Sequence, residues 1–156
     1  MCIRDRYLSS VLLPMSLLAL PFALLSKKTG TVSLMLTGSL IYGTFLSIAG
    51  FINHHLLLIL VLVLCGIGAG VMFVPSMMMA SSMAEREYNA SVMAGFTGIG
   101  SIGFMLGPIA SVFLLEALKS RNIPQSFEIT SFLFGSLEVL VVLLTLPIYK
   151  KLKEAT

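Results

Sequence analysis

Charge is what this sequence has least of. From residue 29 to residue 84 it contains no aspartate, glutamate, lysine or arginine, a run of 56 residues. Charged residues make up 11% of the chain, against roughly 25% in an ordinary soluble domain. Hydrophobic residues reach 57%, and mean hydropathy is +1.00. A soluble fold of this size would lack the polar surface to cover itself. Cysteine is scarce too. Cys2 and Cys65 offer neither a disulfide framework nor metal-ligand spacing. Cys65, inside an apolar run, is read as a small packing residue. The basic residues form no stripe interleaved with aromatics, which argues against a nucleic-acid partner. No nucleophile stands beside a base, no metal-ligand set assembles and no phosphate loop occurs, so no enzyme, metal or cofactor is expected.

What is present suits a lipid bilayer. An ionised side chain at mid-membrane costs about 2.5–3.5 kcal/mol on insertion scales, so a bilayer demands such charge-free runs. Five apolar segments lie near the ~20 residues that one helical crossing needs: 7–25, 31–52, 56–81, 90–115 and 129–149. Barrel strands would be about 10 residues long with alternating polarity, which these segments are not. The expected fold class is therefore an all-α integral membrane protein with five transmembrane helices. The polar connections are Ser26-Lys27-Lys28-Thr29-Gly30, Asn53-His54-His55, Glu85-Arg86-Glu87-Tyr88-Asn89 and a longer loop from Glu116 to Glu128.

Basic residues set the orientation. With a cytoplasmic C-terminus, Lys27, Lys28, Arg86, Lys150, Lys151 and Lys153 lie inside, while Lys119 and Arg121 lie outside. The positive-inside bias favours this arrangement, even with Arg4 and Arg6 counted outside. It gives a multi-pass protein of the cell (inner) membrane, with residues 150–156 as a cytoplasmic tail. The outside placement suits Arg4 and Arg6 poorly. Residues 1–6, Met1-Cys2-Ile3-Arg4-Asp5-Arg6, resemble a translated adapter at the head of an assembled sequence. The alternative is a genuine basic region before a signal anchor.

Glycine and proline are concentrated in the third and fourth segments. Gly66 and Gly70 stand four apart, as do Gly103, Gly107 and Ser111. In lipid, such small-residue stripes let helix backbones approach closely. Pro75 and Pro108 each remove a backbone donor and are expected to kink their helices. A kinked, glycine-lined pair suits a protein that rocks; static tight packing fits the spacing equally well. Gly98-Ile99-Gly100-Ser101-Ile102-Gly103 matches GxGxxG in form only. A dinucleotide site needs a preceding strand, and this match lies inside the uncharged stretch from Tyr88 to Leu115.

Taken together, these motifs resemble the last five of the twelve helices of a major facilitator superfamily (MFS) transporter. The resemblance covers everything after residue 6. Leu25-Ser26-Lys27-Lys28-Thr29-Gly30 is similar to a worn copy of the family's basic, glycine-containing loop, without its aspartate. Gly66-Ile67-Gly68-Ala69-Gly70 followed by Pro75 resembles the tenth helix. Leu62 stands where that helix's N-terminal counterpart usually carries an embedded arginine. Ala94-x8-Gly103-x3-Gly107-Pro108-x2-Ser111-Val112 resembles a degraded antiporter motif, as the eleventh helix should show. The resemblance implies part of the C-terminal half of a twelve-helix bundle, working by alternating access. It also implies a substrate site shared with a missing N-terminal half of the same transporter.

The resemblance further implies that the lipid bilayer, a small-molecule substrate and protons are the partners. Proton-coupled export of a small hydrophobic molecule, as by a drug/proton antiporter, is the nearest subfamily reading. Glu138, the one acid well inside a span, is the proton-coupling candidate; a helix-contact or lipid-adjacent role is the plainer one. Tyr42, Thr44, Ser76, Met79, Thr97 and Ser101 are candidates to face a substrate cavity. Gly66, Gly70, Pro75, Gly103, Gly107 and Pro108 are candidates for helix packing and hinging. Met72, Met77, Met78, Met79 and Met83 could offer thioethers to Cu(I), line an adaptable cavity or simply pack. His54 and His55 are read as solvated loop residues. The rival reading from another class is a complete small polytopic membrane protein acting as a structural or assembly subunit. The reading frame upstream of Tyr7 discriminates between the two.

Overall fold

A computed structural model describes residues 3–154, and the side chains of residues 7–147. Cys2 and the ends of the chain lie outside it. So does the reading of residues 1–6 as foreign, at the level of side chains. The described residues are all-α. The helices are α1 (Ile3–Leu17), α2 (Ala19–Thr29), α3 (Thr31–Ala49), α4 (His55–Ser82), α5 (Asn89–Ser120) and α6 (Ser126–Glu154). Four of them are long and apolar enough to cross a membrane, or five spans if α1 and α2 together make one. Helix closes every interior backbone hydrogen bond within its own segment, the arrangement lipid requires.

The first apolar segment is a bent pair of helices. α1 and α2 meet at Leu18 with a bend of 51°. Pro21 accounts for the position of the break. Its ring removes the amide that would bond to the Leu17 carbonyl and crowds that carbonyl, and α2 restarts at Ala19, two residues before it. Pro75 and Pro108, in contrast, lie inside the continuous helices α4 and α5.

The turns follow from local chemistry. Gly30 joins α2 to α3 at φ +87°, a conformation that side chains rarely adopt. Lys27 and Lys28 occupy the last turn of α2, where cations oppose the helix dipole favourably. Asn122 takes φ +55° just beyond α5. Its amide returns to the Lys119 carbonyl and that of Ile123 to Leu118, a left-handed cap with Pro124 following. α5 therefore runs to Ser120, and α6 starts at Ser126 rather than Ile129. α6 also continues through the stretch expected as a tail, as far as Glu154.

The core is the contact of α3 with α4 and α6. Glycines make it possible. A Cβ added at Gly38 would stand 2.5 Å from Met72 N, and one at Gly68 would stand 2.7 Å from Tyr42 N, so α3 and α4 touch backbone to backbone. A Cβ at Gly43 would stand 2.9 Å from the Gly135 carbonyl oxygen, which brings α3 equally close to α6. Close backbone approach of this kind holds helices together where lipid offers no hydrophobic drive. Gly66 and Gly70 lie against Val11, Met15 and Phe22, seating α1 and α2 on α4. Ser26, almost fully buried, has its hydroxyl 2.8 Å from the Ala23 carbonyl of its own helix and 3.1 Å from Met78 Sδ, so it packs α2 against α4 again. α5 differs from the rest: it touches α4 and α6 lightly and buries none of its residues.

Candidate functional site

The loose seating of α5 opens a groove of about 890 Å³ between it, α6 and the core helices. α6 contributes one face, at Phe127, Thr130, Ser131, Phe134 and Glu138, a spacing of three, four, seven and eleven residues that a helix brings into line. α5 contributes its glycines. A Cβ at Gly100, Gly103 or Gly107 would meet nothing within 4 Å. The packing contact expected of Gly103 and Gly107 is therefore not made among the described residues; these glycines keep the groove wide. Pro108 and Ser111 line the same wall.

Glu138 lies midway along the Ser126–Pro147 span and is half-buried. Ser39 on α3 donates to its Oε1 at 2.8 Å. The same hydroxyl lies 2.9 Å from Met72 Sδ on α4. A hydroxyl carries one proton, so Ser39 serves one of these acceptors at a time. One residue thus joins α3, α4 and α6 at the level of the acid. Tyr42, one turn further along α3, lines the groove with Glu138.

The remaining cavity candidates stand elsewhere. Thr44, Ser76, Thr97 and Ser101 return their hydroxyls to Leu40, Met72, Met93 and Thr97 carbonyls of their own helices, and none lines the groove. Met79 sits near the end of α4, away from it. His55, read as a solvated loop residue, is instead the first residue of α4. Its Nδ1 lies 2.6 Å from the Tyr7 hydroxyl, with the two rings edge to face. His54 precedes that helix and is exposed.

Sequence reasoning missed Ser39, Gly43 and Gly135. Ser39 and Glu138 are 99 residues apart, so nothing in the sequence paired them. A signal for the crossing was present: Ser39, Gly43 and Ser47 stand four apart, as do Ser131 and Gly135, the same small-residue spacing that marked Gly66 and Gly70.

Apolar helices packed through glycine, with a lone acid at mid-span beside an open groove, define a polytopic membrane protein with a polar centre. Residues 7–155 match the Major Facilitator Superfamily, and the chain belongs to that superfamily of membrane transporters. No curated protein and no solved structure matches the chain.

Proposed function

We propose that this chain is the part of a secondary transporter that supplies its last five helices, and that the whole carrier exports a small hydrophobic molecule against a proton gradient by alternating access. The observation that carries this reading is Glu138. An acid at mid-span is costly in lipid and is kept where it works. Here it faces a groove and is held by Ser39 from a neighbouring helix. Gaining and losing a proton at this carboxyl would change what Ser39 bonds to, which gives the proton a route to helix packing.

Two further observations support the reading. α5 exposes Ile99, Phe104 and Phe113 and buries nothing, as expected if the helices of an N-terminal half cover it in the complete carrier. The basic residues fall mostly on one side, which favours a cytoplasmic C-terminus in the inner membrane. The test is transport by the full reading frame in proteoliposomes under an imposed pH gradient. Glu138→Gln abolishes proton-driven transport on this reading. Unimpaired transport by that variant rejects proton coupling through Glu138. The 156-residue chain alone accumulates nothing against a gradient, because half of the pathway is absent.

A further inference from the structure

We propose that a second groove, between the bent α1–α2 pair and α4, seats an acyl chain of an anionic phospholipid, with the phosphate of its headgroup at Lys27 and Lys28. The proposal goes beyond the transporter reading and does not depend on it.

Two separated contacts build this groove. α1 and α2 sit on α4 at Gly66 and Gly70, where Val11, Met15 and Phe22 approach. They meet it again at Met78, whose Sδ lies 3.1 Å from the Ser26 hydroxyl. Between the contacts, Phe73, Val74 and Met77 line an open cleft of about 560 Å³ with Leu8, Leu12 and Ser16. The bend of 51° turns α2 out of line with α1 beside it.

The lining decides what enters. No charged residue faces the cleft, and its polar side chains are Ser9 and Ser16. Ser16 gives its hydroxyl to the Leu13 carbonyl of its own helix. A polar ligand would lose its hydration there for little in return. A hydrocarbon chain has no such cost, and the thioether of Met77 adapts to its shape.

The cytoplasmic end decides the headgroup. On α4 the cleft ends at Met77, next to the residue that Ser26 touches, one position before Lys27. On the other wall Leu20, Leu24 and Lys28 follow Ser16 at four-residue intervals and are exposed, so an apolar track leads from cleft to lysine. From Ser16 to Lys28 is roughly 18 Å along the helices. That is a little over half of the ~30 Å hydrocarbon thickness, the reach of a lipid in one leaflet. Lys27 and Lys28 form no ion pair with any described residue. The dipole of α2 offers them only about half a negative charge. Lysines at this depth attract anionic lipid, and a phosphodiester brings the charge they lack. A second copy of the chain in the same orientation would bring further lysines to the same level.

The experiment is native mass spectrometry of the purified 156-residue chain in mild non-ionic detergent, with two lipids of identical acyl chains: phosphatidylglycerol and phosphatidylcholine. Phosphatidylglycerol binds roughly tenfold more tightly, as two lysines near a membrane surface imply. Lys27→Gln combined with Lys28→Gln abolishes the preference, while Lys119→Gln, at the opposite end of the bundle, leaves it unchanged. Ser16→Phe, which puts a ring into the cleft, weakens both lipids by about tenfold with the lysines in place, since it excludes a few methylene groups. Excess glycerol 3-phosphate, the same charge without chains, displaces nothing. Equal binding of the two lipids, a preference indifferent to the lysines, or binding indifferent to Ser16→Phe overturns the proposal. Displacement by glycerol 3-phosphate also overturns it and makes the site one for a free anion. Chain dimers that Ser16→Phe separates overturn it and assign the cleft to a second copy. The full reading frame keeps the preference for phosphatidylglycerol; its loss there overturns the proposal and gives the cleft to another helix of that longer chain.

Discussion

Ser39 Oγ lies 2.8 Å from Glu138 Oε1, joining the middle of α3 to the middle of α6 across 99 residues of sequence. The two helices can meet there because Gly43 and Gly135, each close in sequence to one of the pair, bring the backbones together. A polar contact and a small-residue contact therefore occupy the same crossing. Removing either should be felt by the other.

Ser39→Ala removes the donor to Glu138. Side-chain hydrogen bonds between membrane helices average about 0.6 kcal/mol, with a maximum near 1.7 kcal/mol. The variant should lose stability within that range in a detergent denaturation series. An unchanged midpoint would mean that the contact contributes nothing to the packing of α3 on α6.

Two glycine substitutions should move in opposite directions. Gly38→Ala places a Cβ 2.5 Å from Met72 N, and overpacking of this kind typically costs about 1–3 kcal/mol. Gly98→Ala places one where nothing lies within 4 Å, and the lower entropy cost of alanine in a helix should add about 0.5–1 kcal/mol. The same denaturation series compares them. Equal effects would contradict the placement of α3 against α4 and the openness of α5.

Gly30→Ala should destabilise by about 1–3 kcal/mol, because the chain turns there at φ +87° in a region costly to residues with a Cβ. Thr29→Ala, one residue earlier and exposed, is the control. A Gly30 variant as stable as the control would show that the α2–α3 turn has another geometry.

Pro21→Ala restores the amide that α1 and α2 lack at their junction. Each arm of the bent pair, Tyr7–Leu17 and Ala19–Thr29, is 11 residues long, or roughly 16 Å. Straightening the 51° bend should lengthen the distance between spin labels at Leu8 and Lys27 by about 3 Å. No change would place the cause of the bend elsewhere.

Much of this fold is legible in the sequence, and the reason is lipid. The apolar segments marked the helices well, since charge is excluded wherever the chain meets hydrocarbon. Hydropathy reports depth in the membrane rather than the end of a helix. α5 accordingly continues through Glu116 and Lys119 to Ser120, and stops only at the left-handed Asn122. The break at Leu18 escaped notice because the segment is apolar throughout; its signal was Pro21, four residues after the carbonyl it deprives. Of the site, Glu138 stood out as an acid in an apolar span, while Tyr42 was one of six cavity candidates that the sequence could not tell apart, and it is the one of them that lines the groove with the acid. The bond of Ser39 to that acid could not be read, because hydroxyls at other mid-helix positions, such as Thr44 and Thr97, bond to their own backbones. Which hydroxyl turns outward depends on what packs against it, and that is a property of the fold.

The central claim is that these helices are membrane crossings stacked as in a transporter half, with α1 and α2 forming a single bent span. Cysteine accessibility labelling of the chain in intact cells and inverted vesicles, at Leu8, Lys27, His54, Arg86 and Arg121 in turn, tests it most directly. The account predicts Lys27 and Arg86 on the cytoplasmic side, with Leu8, His54 and Arg121 opposite. Lys27 and Arg86 labelled from different sides would contradict it, and Leu8 labelled from the same side as Lys27 would make the α1–α2 pair a re-entrant loop.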